Sequence, residues 1–211
     1  MSQIPQKLIS GFQRFRKQHF ESNDNFYQQL VTSGQTPKTL VVACCDSRVD
    51  PALVLDCEPG DLFVIRNVAN LVPPAEGRAG HHGTTAAIEY GVRTLAVQHI
   101  IVFGHARCGG INALVRSGGE SQTDSFIGDW MGLAEAARAS VMRDMPDAPL
   151  EELSRACEQR AILGSLKNLM TFSWVKEPVE QGKLTLHGLY FDIEQGQLLQ
   201  FNEKTQRFEA L

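Results

Sequence analysis

Apolar side chains recur at Ile4, Leu8, Phe12 and Phe15, and again at Phe26, Tyr27 and Leu30. That spacing predicts two amphipathic helices with an interruption at residues 22–25. Ser33, Gly34 and Pro37 then break the pattern, as turn-forming residues do between elements. The next apolar run, residues 40–43, is too short for a helix and rich in valine, so it reads as a buried strand. Runs at residues 62–65 and 100–103 read the same way. Between those two, residues 83–95 put Ala86, Ala87, Ile88, Tyr90, Val92 and Leu95 on nearly every face, the mark of a helix covered on more than one side. Strands joined through helices predict a parallel sheet.

Residues 126–170 carry a helical period broken near Pro146 and Pro149, with the second piece running from about residue 150 to 170. Beyond Pro178, residues 184–193, the turn Glu194-Gln195-Gly196-Gln197 and residues 198–201 read as strand, turn, strand. The expected fold is α/β: a central mostly parallel β-sheet flanked by helices, with an N-terminal helical arm and a C-terminal antiparallel strand addition. We expect a single domain over residues 1–211, composed of the arm (1–34), a core (35–120) and C-terminal helices and strands (121–211). No repeat or low-complexity tract divides it.

Composition narrows the function classes. A chain of 211 residues with 43% hydrophobic content can bury a full core, and no segment reaches the roughly 20 uninterrupted apolar residues of a membrane helix. No membrane partner is expected. The N-terminal segment lacks a continuous apolar stretch with a small-residue cleavage site, which argues for a cytoplasmic protein. A net charge of −4 without a basic stripe offers little to the phosphates of nucleic acid, so that partner is not expected either. The cysteines, Cys44, Cys45, Cys57, Cys108 and Cys157, are odd in number and lack the spacing of a disulfide framework. Thiols near a histidine then point to metal or catalysis.

Chemically distinctive residues follow each strand run at once: Cys44, Asp46, Ser47 and Arg48 after the first, Arg66 and Asn67 after the second, His105 and Cys108 after the third. In a parallel sheet all three groups emerge at the carboxyl edge, where open α/β sheets bind ligands. His105 and Cys108 stand in Gly-His-Ala-Arg-Cys-Gly-Gly, whose last two glycines let a helix begin close by. With Cys44 from another strand they offer two thiolates and an imidazole, donors suited to zinc, and three protein ligands leave a fourth position open, as catalytic sites do. Core cysteines and a lone structural histidine are the bland alternative; the position of the His-x-x-Cys pair beside Cys44 weighs against it. Neighbouring strand residues point to opposite faces, so only one of Cys44 and Cys45 should face the metal, and alternation puts Asp46 and Arg48 on the Cys44 side. If the extended backbone continues past the strand, Arg48 can orient the Asp46 carboxylate and keep it ionised.

Three segments, Ala43-Cys44-Cys45-Asp46-Ser47-Arg48-Val49, Pro59-Gly60-Asp61-Leu62-Phe63-Val64-Ile65-Arg66-Asn67-Val68-Ala69-Asn70 and Gly104-His105-Ala106-Arg107-Cys108-Gly109-Gly110, resemble in length and order the motifs of the β-class carbonic anhydrases. The similarity runs from about residue 35 to 115 and returns at His187-Gly188. It implies that Cys44, His105 and Cys108 hold one Zn2+ per subunit and that Asp46 with Arg48 forms the family's catalytic dyad. It also implies that Gln35, Phe63, Val68 and Tyr90 line the substrate cleft, as in the plant-type branch, and that Gly109 offers a backbone N–H to the substrate. The activity so implied is reversible hydration of CO2 to bicarbonate and a proton, through zinc-bound hydroxide oriented by the dyad, in a homodimer or a dimer of dimers.

Two departures bear on this expectation. Cys45 stands where the family usually has Ser, which adds a thiol next to a ligand and opens a route to oxidation. Val41 stands where the branch with a regulatory bicarbonate pocket usually carries Trp, so that pocket is expected to be absent. His81 and His82 are the candidate proton carriers, against the commoner reading of surface histidines at a helix start. Other readings are hydrolysis of sulfur analogues of CO2, a non-catalytic module with a closed four-ligand zinc site, and a thiol redox protein; the last lacks any Cys-x-x-Cys pair.

Overall fold

The computed structural model describes residues 4–21, 25–75, 81–118 and 125–211, which fall into two units, Met1–Thr36 and Pro37–Leu211. The first unit holds α1 (Gln6–His19) and α2 (Phe26–Ser33); residues 22–24 of the expected interruption lie outside the described residues. Within it, Phe15 meets Tyr27 edge-on and Phe20 stacks on Tyr27 with centroids 5.0 Å apart. Ile4, Leu8 and Phe12 remain exposed, so α1 draws little stability from burial of its apolar stripe.

Among the described residues, the second unit is built on six strands: β1 (Thr39–Cys44), β2 (Leu62–Asn67), β3 (His99–His105), β4 (Thr185–Asp192), β5 (Gln197–Asn202) and β6 (Arg207–Ala210). They form one sheet in the order β2-β1-β3-β4-β5-β6. The first four are mutually parallel, and β5 and β6 add on antiparallel. The helices are α3 (Pro51–Val54), α4 (Gly83–Glu89), α5 (Gly109–Arg116), α6 (Phe126–Met131), α7 (Glu135–Asp144), α8 (Leu150–Leu169) and α9 (Ser173–Glu180). This is the expected α/β architecture with its antiparallel extension. Among the described residues, no helix is long and apolar enough to cross a membrane.

Burial explains the strand runs. Leu40, Val41, Val42 and Ala43 are all inaccessible to solvent, because β1 is covered on both faces as an inner parallel strand must be. One face packs Leu40, Val42, Ile100 and Val102 against Ile88, Ile162 and Leu169; the other packs Val41, Ala43 and Phe103 against Val49 and Leu189. Val41 is thus ordinary core. Glycines let α8 lie directly on the sheet: a Cβ at Gly104 would stand 2.6 Å from Ile162 Cδ1, and one at Gly188 3.0 Å from Ile162 Cγ2.

Two elements carry too little pattern to be read from sequence, and a third departs from its expected form. α9 has eight residues, only one of them, Val175, buried, and contains Pro178, which reads as a break. β6 is a four-residue edge strand bearing Arg207 and Glu209, and charge on an edge blunts unwanted pairing while hiding the strand. The helix over residues 83–95 begins as α4 but widens at Tyr90–Thr94 into a π-turn.

For the site, the register is decisive. Cys44 pairs with Asn67 and Ala43 with Phe103, so the carboxyl ends of β1, β2 and β3 form one edge.

Candidate active site

β1 ends on Cys44 and β3 on His105, while Cys108 immediately precedes α5. Among the described residues, the ligand atoms of these three buried side chains all lie within 4.8 Å of one another. Cys44 Sγ and Cys108 Sγ are 3.9 Å apart; two sulfurs bound at about 2.3 Å to one tetrahedral ion would be separated by about 3.8 Å, so the spacing suits a shared metal. His105 Nδ1 lies 2.8 Å from Ala106 O, which places the ring proton on Nδ1 and leaves Nε2 as an acceptor. That Nε2 is buried and has no hydrogen-bond partner among the described residues. A buried nitrogen so disposed, with its other edge fixed by a carbonyl, is the arrangement of a metal-binding imidazole.

The electrostatics agree. The Cys44 thiol is drawn well below its usual range, chiefly by its hydrogen bond with Cys108, whose own thiol is pushed up by the same contact and by burial. One proton held between two sulfurs is what a divalent cation would displace. Burial pulls the His105 imidazole down, but the contacts with Cys44 and Ala106 outweigh it and the net direction is up. The cluster could therefore hold a metal ion. Cys45, by contrast, is exposed, and all five cysteines are free.

Asp46 and Arg48 stand beside the cluster. Arg48 Nε donates to Asp46 Oδ1 at 2.9 Å and Nη2 to Oδ2 at 2.7 Å, a two-pronged grip reinforced by Arg48 N–H to Oδ1 at 3.0 Å. This grip is the main cause that holds the Asp46 carboxyl well below the usual carboxylate range. Asp46 Oδ2 lies 3.9 Å from His105 Nε2. The extended backbone assumed from alternation does not continue: Val49 N–H donates to Asp46 O at 3.2 Å, and the resulting turn folds Arg48 back onto Asp46. Arg66, from β2, pins this loop through the carbonyls of Cys44, Asp46 and Val49 at 2.9, 2.7 and 2.9 Å.

Two participants have no counterpart in the sequence reading. Glu158 on α8 accepts from Cys108 N–H at 2.9 Å and from the Tyr190 hydroxyl at 2.7 Å, and burial pushes its carboxyl up. The legible signal was a single acid on the buried stripe of α8 formed by Leu153, Cys157, Ala161, Ile162 and Leu169, since acids are rarely buried without partners. Tyr190 is likewise fully buried on β4.

The cleft residues divide. Val68 follows β2 and, with Cys45, Asn67, Thr84, Trp130 and Leu133, lines a mostly apolar cavity of about 800 Å³ that also reaches His81 and His82. Gly109 opens α5, and a Cβ there would meet nothing within 4 Å, so a side chain at this position would enter open space. Phe63 and Tyr90 sit together, ring centroids 6.0 Å apart, but elsewhere: Phe63 pairs with Leu40, four residues before Cys44, which is roughly 13 Å from the carboxyl edge. Gln35 belongs to the unit Met1–Thr36 rather than to the unit carrying the cluster.

The profile of the family described as carbonic anhydrase matches residues 39–198. Beta carbonic anhydrase 5, chloroplastic, of Arabidopsis thaliana is 41% identical over 181 residues, covering 86% of this chain and 59% of that protein. A carbonic anhydrase of Synechocystis is 37% identical over 205 residues, 97% of this chain and 74% of its own length. The structure of the β-carbonic anhydrase CcaA superposes with a TM-score of 0.90 at 37% identity, covering 98% and 91% of the two chains. A tetrameric β-carbonic anhydrase of Sordaria macrospora gives 0.82 at 29% identity, over 93% and 96%. Motifs, fold and relatives coincide, and the chain belongs to the β-class carbonic anhydrase family.

Proposed function

We propose that this chain catalyses the reversible hydration of CO2 to bicarbonate and a proton, with one zinc ion held by Cys44, His105 and Cys108. The observation that carries the proposal is the buried, unpartnered His105 Nε2 within reach of two thiols and of an arginine-held carboxylate. Zinc in a site of this kind supplies a Lewis acid that makes water a nucleophile near neutral pH.

The protein's own groups do the rest. Asp46, kept ionised by Arg48, accepts a hydrogen bond from the attacking water and so turns an oxygen lone pair toward the carbon. Because Arg48 occupies both carboxylate oxygens, Asp46 is restrained from swinging onto the metal itself. The apolar wall beside Val68 receives an uncharged substrate, and the Gly109 N–H at the start of α5 is our candidate donor to a substrate oxygen. Phe63, four strand residues from the edge by register, and Tyr90, whose ring lies against it, can serve a cleft only when a second copy brings them to it. That requirement supports a homodimer or a dimer of dimers.

Zinc analysis and CO2 hydration, measured together on the wild type and Cys108→Ser, test the proposal. The wild type should contain zinc and hydrate CO2, and the variant should lose both. Zinc-free protein that retains full turnover, or zinc-loaded protein with none, contradicts it.

A further inference from the structure

The turn that joins His105 to Cys108 is secured from outside the site. Arg107 takes a left-handed backbone conformation, φ 62°, one that L residues other than Gly, Asn and Asp rarely adopt. In this conformation its carbonyl oxygen accepts from Arg48 Nη2 at 3.0 Å, the same nitrogen that grips Asp46 Oδ2. Its side chain runs the other way and donates to Glu151 Oε1 at 2.6 Å and Glu194 Oε1 at 2.8 Å. Glu151 opens α8, and Glu194 lies in the turn after β4. Arg155 binds the second oxygen of Glu194 and the buried Asp192. Exposed ion pairs taken singly contribute little, but here two arginines and three carboxylates from three elements form one network. That network restrains a backbone that would otherwise favour another conformation.

We propose that Arg107 is a positioning residue for the dyad: its side chain, clamped between Glu151 and Glu194, holds the turn so that its carbonyl anchors Arg48 and, through Arg48, Asp46. Nothing in the zinc ligands or the dyad themselves calls for an arginine here; the role follows from the path Glu151/Glu194, Arg107 side chain, Arg107 carbonyl, Arg48, Asp46. It rests on the proposed function for its effect on turnover, but not for its effect on Arg48.

Three variants test it. Arg107→Ala removes the clamp, Glu151→Gln with Glu194→Gln loosens it without touching the turn, and Arg107→Lys keeps the charge. Each is followed by kcat and KM for CO2 hydration and by NMR exchange of the Arg48 Nε–H in both zinc-loaded and metal-free protein. Arg107→Ala should lower kcat by about 10-fold, at the lower end for residues that orient a metal site from behind, with KM unchanged. It should also speed Arg48 Nε–H exchange in both forms. The double variant should move both readouts in the same direction, and Arg107→Lys should recover part of each. Unchanged Arg48 exchange in the double variant overturns the proposal, as does wild-type kcat with faster exchange; if Arg107→Ala does not fold, the double variant decides. Wild-type protein without hydration activity overturns the proposed function alone, since exchange in the metal-free protein still reports on the clamp.

Discussion

Asp46 and Glu158 are two carboxylates that flank the same cluster of Cys44, His105 and Cys108, yet their surroundings drive them in opposite directions. Asp46 lies on the open side, where Arg48 supplies a matched guanidinium fork and holds the carboxyl low. Glu158 lies on the closed side, where burial dominates and pushes the carboxyl up, against hydrogen bonds from Tyr190 and Cys108. The same functional group thus receives two tasks from two environments. Next to solvent, a charge is kept available to the reaction. Inside the core, an acceptor ties the backbone of Cys108, a proposed metal ligand, to α8 and β4.

The largest effect is expected at Arg48. Arg48→Ala should reduce CO2 hydration by about 100-fold or more, the scale of a misplaced proton acceptor, while zinc content stays at the wild-type level. Because Arg48 is half exposed, the melting temperature should shift little. Turnover equal to the wild type would remove Asp46 and Arg48 from the mechanism.

Glu158 should behave the other way round. Glu158→Leu strands the Cys108 N–H and the Tyr190 hydroxyl in the core, at a cost of roughly 1–3 kcal/mol for each orphaned donor. Denaturant unfolding checks this, and Glu158→Gln, which keeps an acceptor, should lose less. Tyr190→Phe narrows the same point: it leaves the buried Glu158 Oε2 without its donor while Oε1 keeps the Cys108 N–H, so a loss of about 1–3 kcal/mol, below that of Glu158→Leu, is expected with turnover close to wild type.

The smallest effect lies at the opposite end of the sheet. His187 Nε2 faces His99 Nδ1 at 3.2 Å, and burial, helped by His99, pulls the His187 imidazole below its ordinary value. A base lowered in the folded state binds fewer protons there than in the unfolded chain, so stability should fall as pH drops through about 6.5 and level off below the lowered value. His187→Gln should flatten that part of the stability profile, measured by unfolding between neutral and mildly acidic pH. An unchanged profile would show that His187 does not carry the dependence.

Much of the fold was legible because inner parallel strands are nearly continuous apolar runs, and β1, β2 and β3 each show one. β6 and α9 were not, since a charged four-residue edge and a short helix containing Pro178 leave no period to read. At the site, Cys44, His105 and Cys108 were found by their place just past strand runs, where a parallel sheet brings chain ends together. The Asp46 and Arg48 pairing was reached by assuming extended backbone; the chain instead turns at Asp46 to Val49, a local hydrogen bond that alternation does not encode. Glu158 and Tyr190 were missed because their partner Cys108 is distant in sequence and meets them only through α8 and β4. Phe63 illustrates the converse: resemblance assigned it to the cleft, while its register on β2 sets it well back from the edge of its own chain.

Zinc-edge X-ray absorption on the purified protein reads the coordination sphere of the cluster itself. Two sulfur ligands at about 2.3 Å, with one imidazole nitrogen and one further light atom at about 2.0 Å, are predicted from Cys44, Cys108 and His105 around a site with one open position. A sphere without sulfur, or one of four protein ligands with no exchangeable position, would contradict the account.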